Sequence, residues 1–170
     1  KVIPPGLEDS WFDVDRNKAF SSQILFWGRI EEEKGLPELL LALKTVAKKI
    51  NDVKLILVGE GNRLQEYKSR VANLNLTDHV EFTGWKTSAE IQNICSESSV
   101  AVFPSRIESF GLSVIEAMAA TIPVVASRGG AITENIEDGV TGKLVPVKNS
   151  DALAEAIISV LEDPSNAEKM

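Results

Sequence analysis

The sequence predicts an α/β chain built on a doubly wound parallel sheet, and three observations carry that prediction. Six strand-sized apolar runs recur along the chain, amphipathic helical patterns separate most of them, and glycines gather just after the runs. Strand and helix in alternation require right-handed crossovers, which make the strands parallel and cover both faces of the sheet. At 170 residues and 44% hydrophobic content, the chain can bury the core of one self-standing domain without staples.

The chain opens on Lys1-Val2-Ile3-Pro4-Pro5-Gly6, which reads as a strand end followed by a stiff linker. Residues 1–20 are therefore expected to be an interdomain linker, and residues 21–170 the domain itself. The first strand is expected at 24–27, followed by a helix over 36–50 with Leu39, Leu40, Leu43, Val46, Ala47 and Ile50 on one stripe. A second strand at 55–58 precedes a helix over 64–74; a third at 80–82 precedes a helix over 89–96. The fourth strand, 100–103, runs through a Pro104-Ser105 turn into a helix over 112–120. Strands at 123–126 and 143–145 follow, with Glu134 on a short helix or cap between them, and a helix over 152–161 closes the pattern.

Charge and cysteine use exclude several function classes. A formal net charge of -7 lacks the basic field that nucleic acids or anionic membranes require, so no nucleic-acid partner is expected and any anion must be caught locally. The one cysteine, Cys95, cannot make an internal disulfide, and no Cys/His spacing suits a metal. Neither metal nor cofactor is expected, and the setting expected is reducing and cytoplasmic. No apolar run is long enough to span a bilayer.

Glycines mark the edge of the sheet where a ligand would sit. Gly28 follows the first strand, Gly59 and Gly61 the second, Gly84 the third and Gly129-Gly130 the fifth, while Gly111 opens the helix after the fourth. Ligands of doubly wound folds bind beyond the carboxyl ends of the strands. Plain tight turns use glycine as well, so the shared edge is more informative than any single one.

Four side chains stand out near that edge. Glu108 precedes the helix that starts near Phe110-Gly111, and Glu116 lies on it eight residues later. A helix mouth with free N–H groups suits phosphate, and carboxylates beside it suit hydroxyls. Glu116 is surrounded by Val114, Ile115, Ala117, Met118 and Ala119, where a carboxylate needs a partner. Arg29 and Lys34 flank the acidic run Glu31-Glu32-Glu33 and suit a diphosphate, provided the three glutamates point away. The same residues are also compatible with a helix cap, a solvent-facing glutamate and a solvated charged turn. His79, in a polar turn, reads as structural, and Cys95 as a small apolar filler.

These motifs in this order resemble the C-terminal, donor-binding domain of a retaining GT-B glycosyltransferase of the group 1 family, which includes glycogen synthase-like, sucrose synthase-like and mannosyl- or galactosyltransferases. The resemblance spans nearly the whole chain: Pro4-Pro5-Gly6, Gly28-Arg29 with Lys34-Gly35, Val58-Gly59-Glu60-Gly61, Phe82-Thr83-Gly84, Glu108-Ser109-Phe110-Gly111, Glu116-Ala117-Met118-Ala119, Pro123 to Ala126, Gly129-Gly130 and Gly139-Val140-Thr141-Gly142. It implies a Rossmann-like fold, the C-terminal half of a GT-B enzyme whose own N-terminal domain carries the acceptor site. By resemblance, Arg29 and Lys34 hold the donor diphosphate, Glu116 accepts from ribose hydroxyls and Glu108 from the transferred sugar, with Glu108, Arg29 and Lys34 as the catalytic set. Gly84-Trp85-Lys86 matches where the family reads the nucleobase, with Ile91 packing nearby, and Gly28, Gly59 and Ser109 are further substrate-binding positions. Backbone N–H groups at Phe110, Gly111 and Leu112 would meet sugar and phosphate oxygens.

The activity implied is metal-independent, retaining transfer of a hexose from a UDP- or GDP-type donor, with the nucleotide sugar as substrate and this half inactive alone. Membrane contact would come only through the absent half. The rival is a non-catalytic doubly wound module binding a phosphorylated effector or a protein. An NAD-binding domain fits less well, because the first turn lacks the three-glycine fingerprint and no acidic residue ends the second strand.

Overall fold

The structure is a computed structural model that describes residues 6–16 and 21–167. Six strands, β1 (Gln23–Trp27), β2 (Lys54–Val58), β3 (Val80–Gly84), β4 (Val100–Phe103), β5 (Val124–Ser127) and β6 (Lys143–Val145), form one sheet in the order 3-2-1-4-5-6. Every pairing is parallel. The helices are α1 (Leu36–Lys49), α2 (Leu64–Asn73), α3 (Ser88–Glu97), α4 (Leu112–Ala119), α5 (Ile132–Asn135), α6 (Ser150–Glu162) and α7 (Pro164–Ala167).

Strand composition follows strand position. β4 and β5 are buried at every residue and β1 and β2 at all but the first, as strands covered by helices on both faces must be. β3, at the sheet edge, has no fully buried residue, which matches its Val-Glu-Phe-Thr-Gly alternation. The stripe on α1 buries Leu36, Leu39, Leu40, Leu43 and Val46, and this helix packs along α6.

Strand order reverses between β1 and β4, which leaves a crevice beyond Trp27 and Phe103, the switch point where doubly wound sheets bind ligands. Gly35 brings the walls of that crevice together. It sits at φ +70°, and a Cβ there would lie 1.9 Å from the Pro104 carbonyl oxygen, so only glycine lets the turn before α1 press against the turn after β4.

Pro4 and Pro5 of the expected linker lie outside the described residues. Within the same expected segment, Asp9–Asp13 form a 3-10 helix whose Trp11 is fully buried, its ring stacked on Trp27 at 6.0 Å and 7°. The sequence reading missed the start of α3, where Thr87 and Glu90 form a capping box that places the helix N-terminus one residue before Ala89.

Candidate functional site

The carboxyl ends of β1, β2 and β3 run out side by side with almost no side chains between them. Gly28 N donates to Val58 O at 3.1 Å and Gly59 N to Gly84 O at 2.8 Å. A Cβ on Gly59, at φ +133°, would fall 1.9 Å from the Gly28 oxygen, so this contact exists only between bare backbones. Above them opens a cleft of about 300 Å³. Six of the residues singled out from the sequence line it together: Gly28, Arg29, Gly59, Trp85, Lys86 and Ile91. Gly84 adjoins through its carbonyl.

Sequence reasoning missed Trp27 and Val58 as lining residues, because strand-end apolar residues look like core, and it missed Glu60, which lies between the two glycines Gly59 and Gly61 that it read as a turn. Trp85 is exposed at the rim. Lys86 next to it pairs with Glu90 at 3.0 Å. The Thr87 backbone N–H and Lys86 hold the Glu90 carboxyl down to about 2.

Across the crevice, Lys34 Nζ meets Glu108 Oε2 at 2.6 Å, both side chains largely covered, and Ser105 Oγ lies 3.5 Å from the same oxygen. Arg29 is 73% exposed and meets Glu33 at 3.4 Å. The two cations expected to share a diphosphate thus each hold a carboxylate. The acidic run does not point away as a block. Glu31 accepts from Asn62 N at 3.3 Å, and Glu32 bridges Arg63 and Arg106 at 2.9 Å each, while Glu33 stays beside Arg29. Arg106 and Arg63 together hold the Glu32 carboxyl below its usual range.

Arg106 is the largest omission of the sequence reading. Its fork reaches Glu38 Oε1 through Nε at 3.2 Å and Nη2 at 2.8 Å, and its backbone N–H donates to Glu33 O at 2.7 Å. These bonds tie the turn that carries Glu108 to the start of α1. The signal was present: Glu38 stands on the buried side of α1, where a charge requires a cation.

α4 starts after Gly111, at φ +81°, and no side chain among the described residues caps it. The preceding turn is pinned from α5: Glu108 O accepts from Ala131 N at 3.0 Å and Phe110 O from Asn135 Nδ2 at 2.6 Å. Ser109 and Leu112 remain exposed and Phe110 half-buried around the helix mouth. One turn further on, half-buried Glu116 accepts from the Trp27 indole Nε1–H at 2.8 Å. Burial pushes the Glu116 carboxyl up, the Trp27 bond opposes that, and the Glu8 charge adds to it. This supplies the partner that the apolar company of Glu116 demanded, from an unexpected donor.

Away from the crevice, His79 Nδ1 sits 2.9 Å from Val53 O in a structural turn. Cys95 is buried, its thiol pushed up to about 12. Among the described residues no group of three His, Cys, Asp or Glu is arranged to hold a metal, and no helix is long and apolar enough to cross a membrane.

Comparison with known proteins places this geometry. The model of the family "Glycosyl transferases group 1" matches residues 9–170. A phosphatidyl-myo-inositol mannosyltransferase of Mycolicibacterium smegmatis is 37% identical over 142 residues, 82% of this chain and 36% of that enzyme. Among solved structures, Anabaena HepE in complex with UDP and glucose superposes with a TM-score of 0.88 at 26% identity, covering 99% of this chain and 49% of that one. The C-terminal domain of the Francisella tularensis group 1 protein LpcC gives a TM-score of 0.85 at 27% identity, covering 96% of this chain and 92% of that one. The chain spans well under half the length of the curated relatives it matches. Sheet order, glycine edge and family match agree: the chain belongs to the glycosyl transferases group 1 family and has the fold of the C-terminal domain of a GT-B glycosyltransferase.

Proposed function

We propose that the cleft holds a nucleotide-sugar donor, with UDP or GDP as the nucleotide, and that the chain is the donor-binding half of a retaining, metal-independent hexosyltransferase. The observation that carries this reading is the placement, around one switch-point crevice, of a base-sized cleft on bare strand ends, a half-buried carboxylate at Glu116, and the Lys34–Glu108 pair beside the uncapped mouth of α4. Base and ribose occupy the cleft near Gly28, Gly59, Trp85 and Ile91, with ribose hydroxyls donating to Glu116. The diphosphate lies against the α4 mouth, where it competes with Glu108 for Lys34. Glu108, released from that pair, accepts from a hydroxyl of the transferred sugar. HepE, solved in complex with UDP and glucose on the same fold, supports nucleotide-sugar binding.

In the transfer step the bond from the anomeric carbon to the β-phosphate oxygen breaks, and the acceptor oxygen bonds to the same face. The acceptor proton passes to the departing diphosphate. Lys34, Arg29 and the α4 dipole stabilise the charge growing on that leaving group, the electrostatic work another enzyme would assign to a metal. The acceptor site belongs to the length that the relatives have beyond the matched region, and the residues described above serve the donor side.

Calorimetric titration with UDP, GDP and ADP, with chelator present, tests the reading. Saturable binding that Glu116→Ala weakens about 10- to 100-fold is expected, from the 1.5 to 3 kcal/mol of a hydrogen bond to a charged group. A folded sample that binds none of the three at millimolar concentration contradicts it.

A further inference from the structure

We propose that Trp27 is the positioning residue for the ribose-binding carboxylate: its indole N–H holds one oxygen of Glu116 and aims the other at the cleft. This rests on the ribose role of Glu116 proposed above.

Trp27 ends β1, is 4% exposed, and still forms part of the cleft wall. Its ring has one orientation available. Trp11 stacks on one face at 6.0 Å and 7°, and Phe103 meets it edge-on at 4.8 Å and 79°. An indole N–H donates one hydrogen bond and accepts none, so a buried one must find an acceptor. Trp27 finds Glu116 Oε2, at 2.8 Å.

A glutamate on a helix surface has several rotamers, and an unpartnered carboxylate would spread over them. The rigid indole selects one. It leaves Oε1 and a remaining lone pair of Oε2 free, which matches two neighbouring hydroxyls donating to one carboxylate, the pattern of a ribose 2′,3′-diol. Among the described residues, Glu8, from the N-terminal segment, and Cys95, on α3, interact electrostatically with this carboxylate. The indole bond is the contact that favours the ionised form against burial and Glu8.

Two measurements test this, one without nucleotide. In protein with ¹⁵N-labelled indoles, the Trp27 Nε1–H resonance, assigned by its loss in Trp27→Phe, is expected to titrate with the ionisation of Glu116. Glu116→Gln should abolish that titration and Glu8→Gln should keep it. A Trp27 resonance indifferent to Glu116→Gln overturns the proposal, whatever the nucleotide results show.

The second measurement compares Trp27→Phe with the unsubstituted chain, using UDP and GDP and their 2′-deoxy forms. The phenyl ring keeps an aromatic side chain beside Trp11 and Phe103, loses some volume and removes the N–H. Loss of about 5- to 20-fold in affinity for the ribonucleotide, a smaller loss for the deoxy form, which keeps one of the two hydroxyls, and an acid limit of binding moved to higher pH are expected. Equal losses for both sugars mean packing only, unchanged affinity means no positioning, and tighter binding means Trp27 competes with ribose; each overturns the proposal. If the unsubstituted chain does not discriminate ribose from deoxyribose, the ribose role itself fails, and the indole titration still decides whether Trp27 holds Glu116.

Discussion

Replacing Arg106 by Met tests how the turn carrying Glu108 is held. Methionine keeps the apolar stem and removes three charge-assisted hydrogen bonds, two to Glu38 and one to Glu32. Glu32 retains Arg63 at 2.9 Å and is half exposed, so its loss is small. Glu38 decides the magnitude: its side chain is 12% exposed, Arg106 is its cation, and its second oxygen already lacks a partner. Breaking a buried pair from one side costs about 3 to 5 kcal/mol, reduced here to about 2 to 4 because Arg106 keeps some solvent contact. For a chain of this size that is a fall of roughly 5 to 15 °C in Tm.

Thermal unfolding followed by circular dichroism, cross-checked by urea titration, reads this directly. Glu38→Met, and the pair combined with Arg106→Met, complete a cycle in which the double variant should be more stable than the sum of the singles by about 2 kcal/mol. A loss under 1 kcal/mol for Arg106→Met, or strict additivity, refutes the argument that Arg106 compensates the buried carboxylate.

Three other outcomes follow from the geometry. Burial raises the Glu116 carboxyl above its unfolded value, so its contribution favours folding in acid and is lost as pH rises through the folded pKa. Glu116→Gln should therefore raise Tm at pH 7 and flatten the change in Tm over the acid range just above the ordinary glutamate value, and an unchanged pH profile contradicts the assignment. Lys34→Met should weaken UDP binding about tenfold or more while leaving uridine binding nearly unchanged, because the role proposed for Lys34 is on the diphosphate; equal effects on both would remove it from that role. Gly59→Ala forces a Cβ into a carbonyl oxygen 1.9 Å away at a φ of +133°, so loss of at least about 2 kcal/mol of stability is expected in urea unfolding, and a neutral result would show that β1 and β2 can separate at their ends.

The fold was legible because its signals are local. Near-continuous apolar runs at β1, β2, β4 and β5 and the stripe on α1 each follow from burial alone, and alternation then dictates parallel order. The glycine edge was legible for the same reason: bare backbone contact leaves a glycine in the sequence.

The site was legible as a set of positions and less so as a set of partners. Glu116 announced that it needed a donor, but nothing adjacent in sequence names Trp27, 89 residues away. The acidic run looked like one unit, and the structure splits it among Asn62, Arg63, Arg106 and Arg29, since long-range ion pairs leave no period in the sequence. Trp11 lay in a stretch that reads as linker because a single buried aromatic without a repeating pattern carries no element signal.

The pairing of Lys34 with Glu108 gives the account a moving part. Each neutralises the other at 2.6 Å. A diphosphate at the α4 mouth would draw Lys34 away and free Glu108 beside the sugar, so this contact would report donor arrival.

A structure of the chain with UDP-glucose or GDP-mannose bound tests the central claim most directly. The account requires ribose hydroxyls within hydrogen-bonding distance of Glu116, the diphosphate at the mouth of α4 in contact with Lys34, and Glu108 on the sugar. A nucleotide sugar bound elsewhere, or bound in the cleft with Glu116 still untouched and Lys34 still on Glu108, would contradict it.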